Sequence, residues 1–154
     1  MKLAEALLAR ADLQKRIHSL QARIAANASY QEGEEPAEDA PALLAECSSA
    51  LRELEQLITA INLTNTHATV ADGRSLTAAL ATREILRAEH SMLVKAADAV
   101  GGYADFRQLR SELKQISALP VPDIRARADA VAKQLRETDV LIQRANWEVD
   151  VLDP

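Results

Sequence analysis

The sequence contains few of the residues that interrupt helices and few of those that favour strands. It has four glycines, five prolines and one cysteine, and its aromatic content is 3%. Glycine and proline mark turns, whereas aromatic and β-branched residues favour strands. Alanine and leucine are abundant instead, with glutamate, arginine and glutamine around them, and these are the strongest helix formers. The composition therefore predicts an all-α protein.

The chain also lacks an excess of basic charge and a long apolar run. Its formal net charge is −5, so it does not present the positive field that a general nucleic-acid binder needs. No apolar stretch approaches the roughly 18 residues of a membrane span, and Glu5, Arg10 and Asp12 interrupt the region where a secretory signal would be apolar. The single Cys47 cannot form an intrachain disulfide. We expect a cytoplasmic protein that binds neither nucleic acid nor membrane.

Apolar residues recur at alternating steps of three and four in four segments, which is the spacing of a coiled-coil seam. These segments predict helices at about 2–29, 41–65, 76–100 and 123–148. Together they predict a single helical domain over 1–154. Its fold is expected to be a bundle of about four helices, built from long antiparallel coiled-coil-like hairpins. The segment 103–121 follows no such pattern and is expected to be irregular.

The second predicted helix has the most regular pattern and the widest apolar stripe. Its seam is expected to contain Leu44, Cys47, Leu51, Leu54, Ile58, Ile61 and Asn65. Leu43 and Leu57 widen this stripe, so the face is expected to meet more than one neighbouring helix. Cys47 is interpreted as a small buried apolar residue, with a reactive thiol as the alternative. The seam of the first helix is expected to contain Leu3, Ala6, Arg10, Leu13, Ile17, Leu20, Ile24 and Asn27.

Several expected helix ends carry recognisable capping residues. Asp39 is expected to cap the second helix, with Pro41 in its first turn, where a missing backbone N–H is harmless. Ser75 or Thr77 is expected to cap the third helix. The tail from Asp150 to Pro154 is expected to fray.

The loop between the first two helices carries the densest group of carboxylates. These are Glu32, Glu34, Glu35, Glu38 and Asp39. Carboxylates suit Mg²⁺ or Ca²⁺, but the loop lacks the alternating acids around a central glycine that a twelve-residue calcium loop requires. It also lacks the paired Glu-x-x-Glu motifs with which all-α nucleotide pyrophosphohydrolases hold Mg²⁺. We interpret it as a solvated acidic loop, and we predict neither a metal site nor a cofactor.

No arrangement of nucleophilic or metal-ligating residues predicts catalytic chemistry. The histidines lie far apart, at His18, His67 and His90, and none has zinc-site spacing with Cys47. The sequence contains no serine or cysteine triad pattern and no phosphate-binding glycine loop. Catalytic residues stay unassigned, and an enzymatic activity is disfavoured.

Polar residues also occupy positions where a helix seam would normally be apolar. These are Arg10, Asn65, Arg83, His90 and Thr138. Burying a polar group without a partner costs about 1–3 kcal/mol, so these side chains must be exposed or paired. One interpretation is a polar layer that sets the helix register.

The other interpretation is a small polar pocket between helices that binds an anion. Its candidate ligand-binding residues are Asn62, Asn65, Asp72, Arg74, Arg83, Gln143, Asn146 and Trp147. Trp147 would close this pocket, or it would serve as a packing anchor for the fourth helix.

Several stretches together resemble one family. They are Leu3-Ala4-Glu5-Ala6-Leu7, Gln31-Glu32-Gly33-Glu34-Glu35-Pro36, Ile61-Asn62 with Thr64-Asn65, Leu76-Thr77 and Ala145-Asn146-Trp147. This set is similar to the septicolysin-like family of small, uncharacterised bacterial helical proteins, over nearly the whole chain. The resemblance implies an α-helical fold and a homo-oligomer, and it supplies no catalytic residues. The family label suggests a cytolysin, but a pore former needs a lipid-facing segment or a secretion route, and the sequence shows neither.

Three functions follow from these observations. The first is a self-associating structural or interaction module whose partner is a second copy of the chain. The second is a small-anion or metal-binding protein, or an unrecognised enzyme, that uses the polar pocket. The third, ranked last, is a membrane-active protein.

Overall fold

The computed structural model describes residues 1–102 and 116–153. Within these ranges the chain forms four long helices: α1 (Leu3–Asn27), α2 (Ala40–His67), α3 (Leu76–Gly102) and α4 (Val121–Glu148). The same ranges contain no strand, and an isolated antiparallel bridge joins Lys2 to Asp150. The predicted all-α helical bundle is confirmed, and each helix begins and ends within two residues of its expected bounds. Residues 103–115 of the segment predicted to be irregular lie outside the described residues.

The chain divides into two compact units, each with its own apolar core. One unit comprises Met1–Thr69 with Arg144–Pro154, and the other comprises Val70–Gln143. The first contains the first hairpin, which is α1 with α2. The second contains the second hairpin, which is α3 with residues 121–143 of α4. The core of the first hairpin contains Leu13, Ile17, Leu20, Leu43, Cys47 and Ala50. The core of the second contains Leu86, Leu93, Ala128 and Val131.

The seam of α2 differs from the predicted one by a rotation of the helix. The predicted seam residues Leu44 and Leu51 are 54% and 47% exposed, whereas Leu43 is only 5% exposed. The observed seam runs through Leu43, Cys47, Ala50, Leu54, Leu57, Ile61 and Thr64. It also alternates steps of four and three. The predicted register was wrong because it preferred Leu51 to Ala50 and Asn65 to Thr64, whereas small residues let the two helices approach closely.

Local capping chemistry determines where α2 and α3 begin. The Asp39 side chain accepts a hydrogen bond from the backbone N–H of Ala42 at 3.1 Å, with Pro41 in the first turn. The Ser75 hydroxyl accepts one from the N–H of Ala78, also at 3.1 Å. Both predicted caps are therefore confirmed, with Ser75 rather than Thr77 in that role, because each side chain satisfies a helix N–H that has no carbonyl partner.

Residues 149–152 of the C-terminal tail do not fray, contrary to prediction. The N–H of Leu3 donates to the carbonyl of Val149, and the N–H of Val151 donates to the carbonyl of Met1, both at 2.9 Å. Lys2 Nζ lies 3.0 Å from a carboxylate oxygen of Asp150, and this contact lowers the pKa of Asp150. The tail is held by backbone pairing with residues far away in sequence, which local composition does not reveal.

Candidate functional site

Two residues of the predicted polar pocket form a close ion pair. Arg74 donates from Nε and Nη2 to Asp72 Oδ2 at 2.9 and 2.7 Å, and its backbone N–H donates to Asp72 Oδ1. Arg74 Nη1 also donates to the hydroxyl of Thr82 at 3.0 Å. This bond joins the connection before α3, which contains Asp72 and Arg74, to α3 itself. The pair lowers the pKa of Asp72 and raises that of Arg74. The guanidinium is thus neutralised by a carboxylate of the chain itself.

Arg83 has a different partner within the second hairpin. Its Nη1 lies 3.4 Å from Asp139 Oδ1, and Arg87 Nη2 lies 3.8 Å from the same oxygen. These contacts join α3 to α4 and occupy the Arg83 side chain with a carboxylate. An anion that bound to Arg74 or Arg83 would have to compete with these carboxylates.

The other predicted pocket residues differ widely in exposure. Asn62 and Gln143 are exposed, Asn65 is half-buried and Asn146 is buried. Trp147 is 58% exposed, so its interpretation as a packing anchor is wrong. The predicted set divides between the units. Asn62, Asn65, Asn146 and Trp147 belong to the first, whereas Asp72, Arg74, Arg83 and Gln143 belong to the second. The complete pocket stays a prediction.

The buried polar residue Thr64 was not among the predicted seam positions. Its hydroxyl donates to the carbonyl of Ala60 at 2.7 Å and accepts from the N–H of Leu152 at 2.9 Å. Thr64 therefore ties the C-terminal tail to α2. If the seam had been predicted through Leu43 and Ala50, Thr64 would have been among its positions, because the same alternation of four and three residues leads to position 64.

One side of the first hairpin carries ion pairs along its seam, and we define this charged flank as Arg16, Arg23, Glu38, Glu46 and Glu53. Arg16 Nη2 donates to Glu46 Oε1 at 2.8 Å, and Arg23 Nε donates to Glu38 Oε2 at 3.0 Å. The pKa of Glu38 is lowered by Arg23, and that of Arg16 is raised chiefly by Glu46. These ion pairs close the seam on this side.

The opposite side of the first hairpin is lined by uncharged residues. We define this neutral flank by the residues that follow every second seam position, namely Ala6, Leu13 and Leu20 on α1 and Leu43, Ala50 and Leu57 on α2. These residues are Leu7, Gln14, Gln21, Leu44, Leu51 and Ile58. In an antiparallel helix pair, positions just before the seam face one another on one side and positions just after it on the other. Leu44, Leu51, Gln14 and Gln21 are exposed, so the intrachain fold leaves this flank uncovered.

The surroundings of the neutral flank resemble those of a protein–protein interface. Charged side chains reappear farther round the two helices, at Lys15, Arg52 and Glu55, and all three are exposed. Interfaces commonly have an apolar centre without charge and a polar rim. The neutral flank is therefore the strongest candidate for a functional surface in the first unit.

The described ranges contain neither a spanning helix nor a metal-ligand cluster. No helix in residues 1–102 or 116–153 is long and apolar enough to cross a membrane. No three histidine, cysteine, aspartate or glutamate side chains of these ranges come together in a way that could hold a metal ion. Glu38 of the acidic loop is instead engaged by Arg23.

Comparison with known proteins identifies relatives but no activity. A protein from Corynebacterium diphtheriae, described as a functionally unknown conserved protein, is 34% identical, with a TM-score of 0.90 over 99% of each chain. No curated protein matches the chain significantly. A family of unknown function (DUF6847) matches residues 10–151, and the chain belongs to this family.

Proposed function

We propose that this protein is a self-associating interaction module that buries its neutral flank against the same flank of a second copy. The observation that carries the proposal is the exposure of Leu44 and Leu51, seven residues apart on one face of α2. With Ile58 they form an apolar line beside a seam that is already filled. Exposed apolar lines of this kind are unfavourable in water unless a partner covers them.

The area of the neutral flank suits a stable dimer. The line from Leu44 to Ile58 is about 21 Å long at 1.5 Å per residue, and two adjacent helices are about 20 Å wide. The face of the two helices over this length, its charged rim included, therefore covers about 400 Å². The whole flank along a 40 Å hairpin approaches the roughly 800 Å² per partner of a standard interface.

A second copy is favoured over a different partner because the flank is compatible with itself. The chain has a net charge of −5, so two copies repel through most surfaces, whereas a surface without ionised groups avoids this cost. The amides of Gln14 and Gln21 both donate and accept hydrogen bonds, so they can pair with the same amides of a copy. The line of three apolar residues is symmetric about Leu51. A two-fold axis near Leu51 would place Leu44 of one copy against Ile58 of the other.

This proposal agrees with the homo-oligomer that the septicolysin-like resemblance implies. The alternative anion-binding function receives less support, since Arg74 and Arg83 are both paired with carboxylates. A membrane-active function receives no support from any described helix.

Absolute mass in solution tests the proposal directly. Size-exclusion chromatography with light scattering over a dilution series is expected to give twice the monomer mass for the wild type. Leu51→Glu is expected to give the monomer mass, because it would place two carboxylates beside the two-fold axis. Ile85→Glu is the matched control, because Ile85 is 65% exposed on the second hairpin, outside the neutral flank. A wild-type monomer at every concentration, or equal dissociation by Ile85→Glu, would refute the proposal.

The position of the axis is tested by crosslinking. Leu51→Cys in a Cys47→Ala background is expected to form a disulfide-linked dimer on mild oxidation, because residues beside a two-fold axis meet their own copies. Ile85→Cys in the same background is the control and is expected to stay uncrosslinked. Efficient crosslinking of both variants would show that collision, rather than a specific interface, brings the thiols together.

A further inference from the structure

His18 lies in the row of residues that borders the neutral flank on α1. It follows Gln14 by four residues and precedes Gln21 by three, and residues at these spacings are neighbours on a helix surface. The row continues on either side of His18 with Ala11 and Ala25, and all three of its residues are exposed. Two hairpins that pack through their neutral flanks would therefore bring His18 into the edge of the interface.

The neighbours of His18 on its own helix include one cation and no carboxylate. The residues one turn away on α1 are Gln14, Lys15, Gln21 and Ala22. Lys15 is exposed, and its Nζ lies 3.4 Å from a carboxylate oxygen of Asp12. A proton on His18 would therefore gain no opposite charge from α1.

The facing turn of α2 is uncharged on the neutral side. Glu46 is level with His18, but it lies on the charged flank, where Arg16 donates to it. The residues of this turn that lie on the neutral side are Leu44 and Ser48, which do not ionise in the physiological pH range. In a single copy the imidazole is exposed to water, so its protonation is not opposed by burial.

A second copy would bring apolar side chains to His18. The two-fold axis proposed above is level with Gln14, so α1 of one copy would lie antiparallel to α1 of the other. His18 lies four residues beyond this axis, so the residues of the second copy that face it would be Leu7 and Ala11. Its surroundings would change from water to an apolar contact.

The charged residues of the second copy that share this level point elsewhere. Arg10 occupies a seam position within its own hairpin, and Glu55 lies on α2, at the other edge of the interface. Lys15 of the second copy, the next charged residue along α1, is a cation. A protonated His18 would therefore lose water without gaining a carboxylate.

We propose that proton uptake by His18 weakens the self-association described above, and this inference rests on that proposed function. Histidine is the side chain whose ordinary titration falls between pH 5 and 8. A charged imidazole among leucine and alanine side chains has no partner, so association favours the neutral form. Because protons bind less tightly in the dimer, the dimer is tight at neutral pH and weakens as the pH falls through the histidine range.

Sedimentation equilibrium of the full-length protein at pH 7.5 and pH 5.5, at constant ionic strength, tests this inference. The dimer Kd of the wild type should rise about ten- to hundredfold at pH 5.5, since each of two histidines contributes up to tenfold over the pH unit below the ordinary histidine value near 6.5. His18→Gln removes the titratable group and should give the same Kd at both pH values. His67→Gln is the matched control, because His67 is exposed and follows Glu53 of the charged flank by two heptads. It should keep the wild-type response.

Two further measurements separate this switch from acid unfolding. His18→Arg fixes the positive charge, so at pH 7.5 it should dimerise as weakly as the wild type does at pH 5.5. Circular dichroism should show the same helix content at both pH values, because the carboxylates with lowered pKa values, Glu38, Asp72 and Asp150, titrate below this range.

The outcomes distinguish this inference from the self-association on which it rests. A wild-type dimer that is equally tight at both pH values, or a pH response that persists in His18→Gln, would overturn the role of His18 and leave self-association standing. A wild type that is monomeric at both pH values would overturn both.

Discussion

The second hairpin has ion pairs on both sides of its apolar seam, whereas the first hairpin has them on one side only. In the second, Arg127 pairs with Glu89 at positions just before the seam, and Arg87 approaches Asp139 at positions just after it. In the first, the positions just before the seam carry Arg16 and Glu46. The neutral flank on the other side carries leucine, isoleucine and glutamine. Ion pairs on both flanks close the seam of a helix pair on both sides, whereas a neutral flank leaves one side of the seam open.

The largest expected effect is the difference in unfolding free energy between truncation of Leu43 and truncation of Leu44. It tests which of the two adjacent leucines belongs to the seam of the first hairpin. Leu43→Ala should lower the free energy of unfolding by about 2–4 kcal/mol, because Leu43 is buried and its truncation leaves a cavity. Leu44→Ala should cost less than about 1 kcal/mol at dilutions where the protein is monomeric, because Leu44 is largely exposed. Urea denaturation of both variants measures the difference. Equal losses would show that the seam runs between the two leucines.

The second largest effect is expected when the neutral flank of the first hairpin is given charges of the kind that the second hairpin carries on both sides. Gln14→Arg combined with Leu51→Glu places opposite charges on facing positions of the neutral flank. We expect the dimer dissociation constant to rise at least a hundredfold, since desolvating charges in an interface costs several kcal/mol. The melting temperature of the monomer should change little.

Analytical ultracentrifugation and thermal unfolding of this double variant provide the two readouts. Gln14→Asn with Leu51→Met keeps the flank neutral and serves as the control. A double variant that dimerises as tightly as the wild type would show that the interface lies elsewhere.

A smaller effect is expected from the second hairpin. Asp139→Asn removes the carboxylate that Arg83 and Arg87 share. Because these side chains are partly exposed, the free energy of unfolding should fall by only about 0.5–1 kcal/mol. Chemical denaturation checks this value, and Asp129→Asn, at an exposed position of the same helix, is the control. A loss near 3 kcal/mol would mean that the pair behaves as a buried one.

The smallest expected effect is a dependence of stability on acid pH. Contacts with Arg23, Arg74 and Lys2 lower the pKa values of Glu38, Asp72 and Asp150, respectively. Since their folded-state pKa values lie below the unfolded values near 4, their contribution is complete above that range. It is lost as the pH falls through the lower folded-state values.

Melting temperatures between pH 7 and pH 2 measure this loss. Glu38→Gln and Asp72→Asn should each flatten the acid limb, because the substituted side chain no longer takes up a proton on unfolding. Glu34→Gln, which removes an exposed carboxylate of the acidic loop, should leave it unchanged. A steeper acid limb in Glu38→Gln would contradict the assigned direction of the pKa shift.

Sequence patterns predicted the features that depend on neighbouring residues. The helix bounds, the Asp39 and Ser75 caps and the burial of Cys47 are all confirmed, because propensity, capping and seven-residue periodicity act over a few residues. The register of α2 was wrong because Leu44 and Leu43 both satisfy a four-and-three pattern. The choice between them depends on how closely α1 approaches Ala50, which is a property of the packed pair.

The candidate site depended on contacts that sequence spacing does not contain. Polarity at a seam position correctly marked Arg83 as a residue that needed a partner. It did not reveal that Asp139 is the partner of Arg83, since these residues lie in different helices. The neutral flank was not recognised either, because its leucines were assigned to the seam.

Cys47 gives the first hairpin a built-in reporter of its own opening. It is the only cysteine in the chain and it lies buried between α1 and α2. A thiol reagent can reach it only when the two helices separate, so the modification rate relative to a free thiol measures the free energy of that opening. Because the second hairpin contributes no cysteine, the signal comes from the first hairpin alone. The same rate, followed against protein concentration, would show whether a second copy holds this hairpin closed.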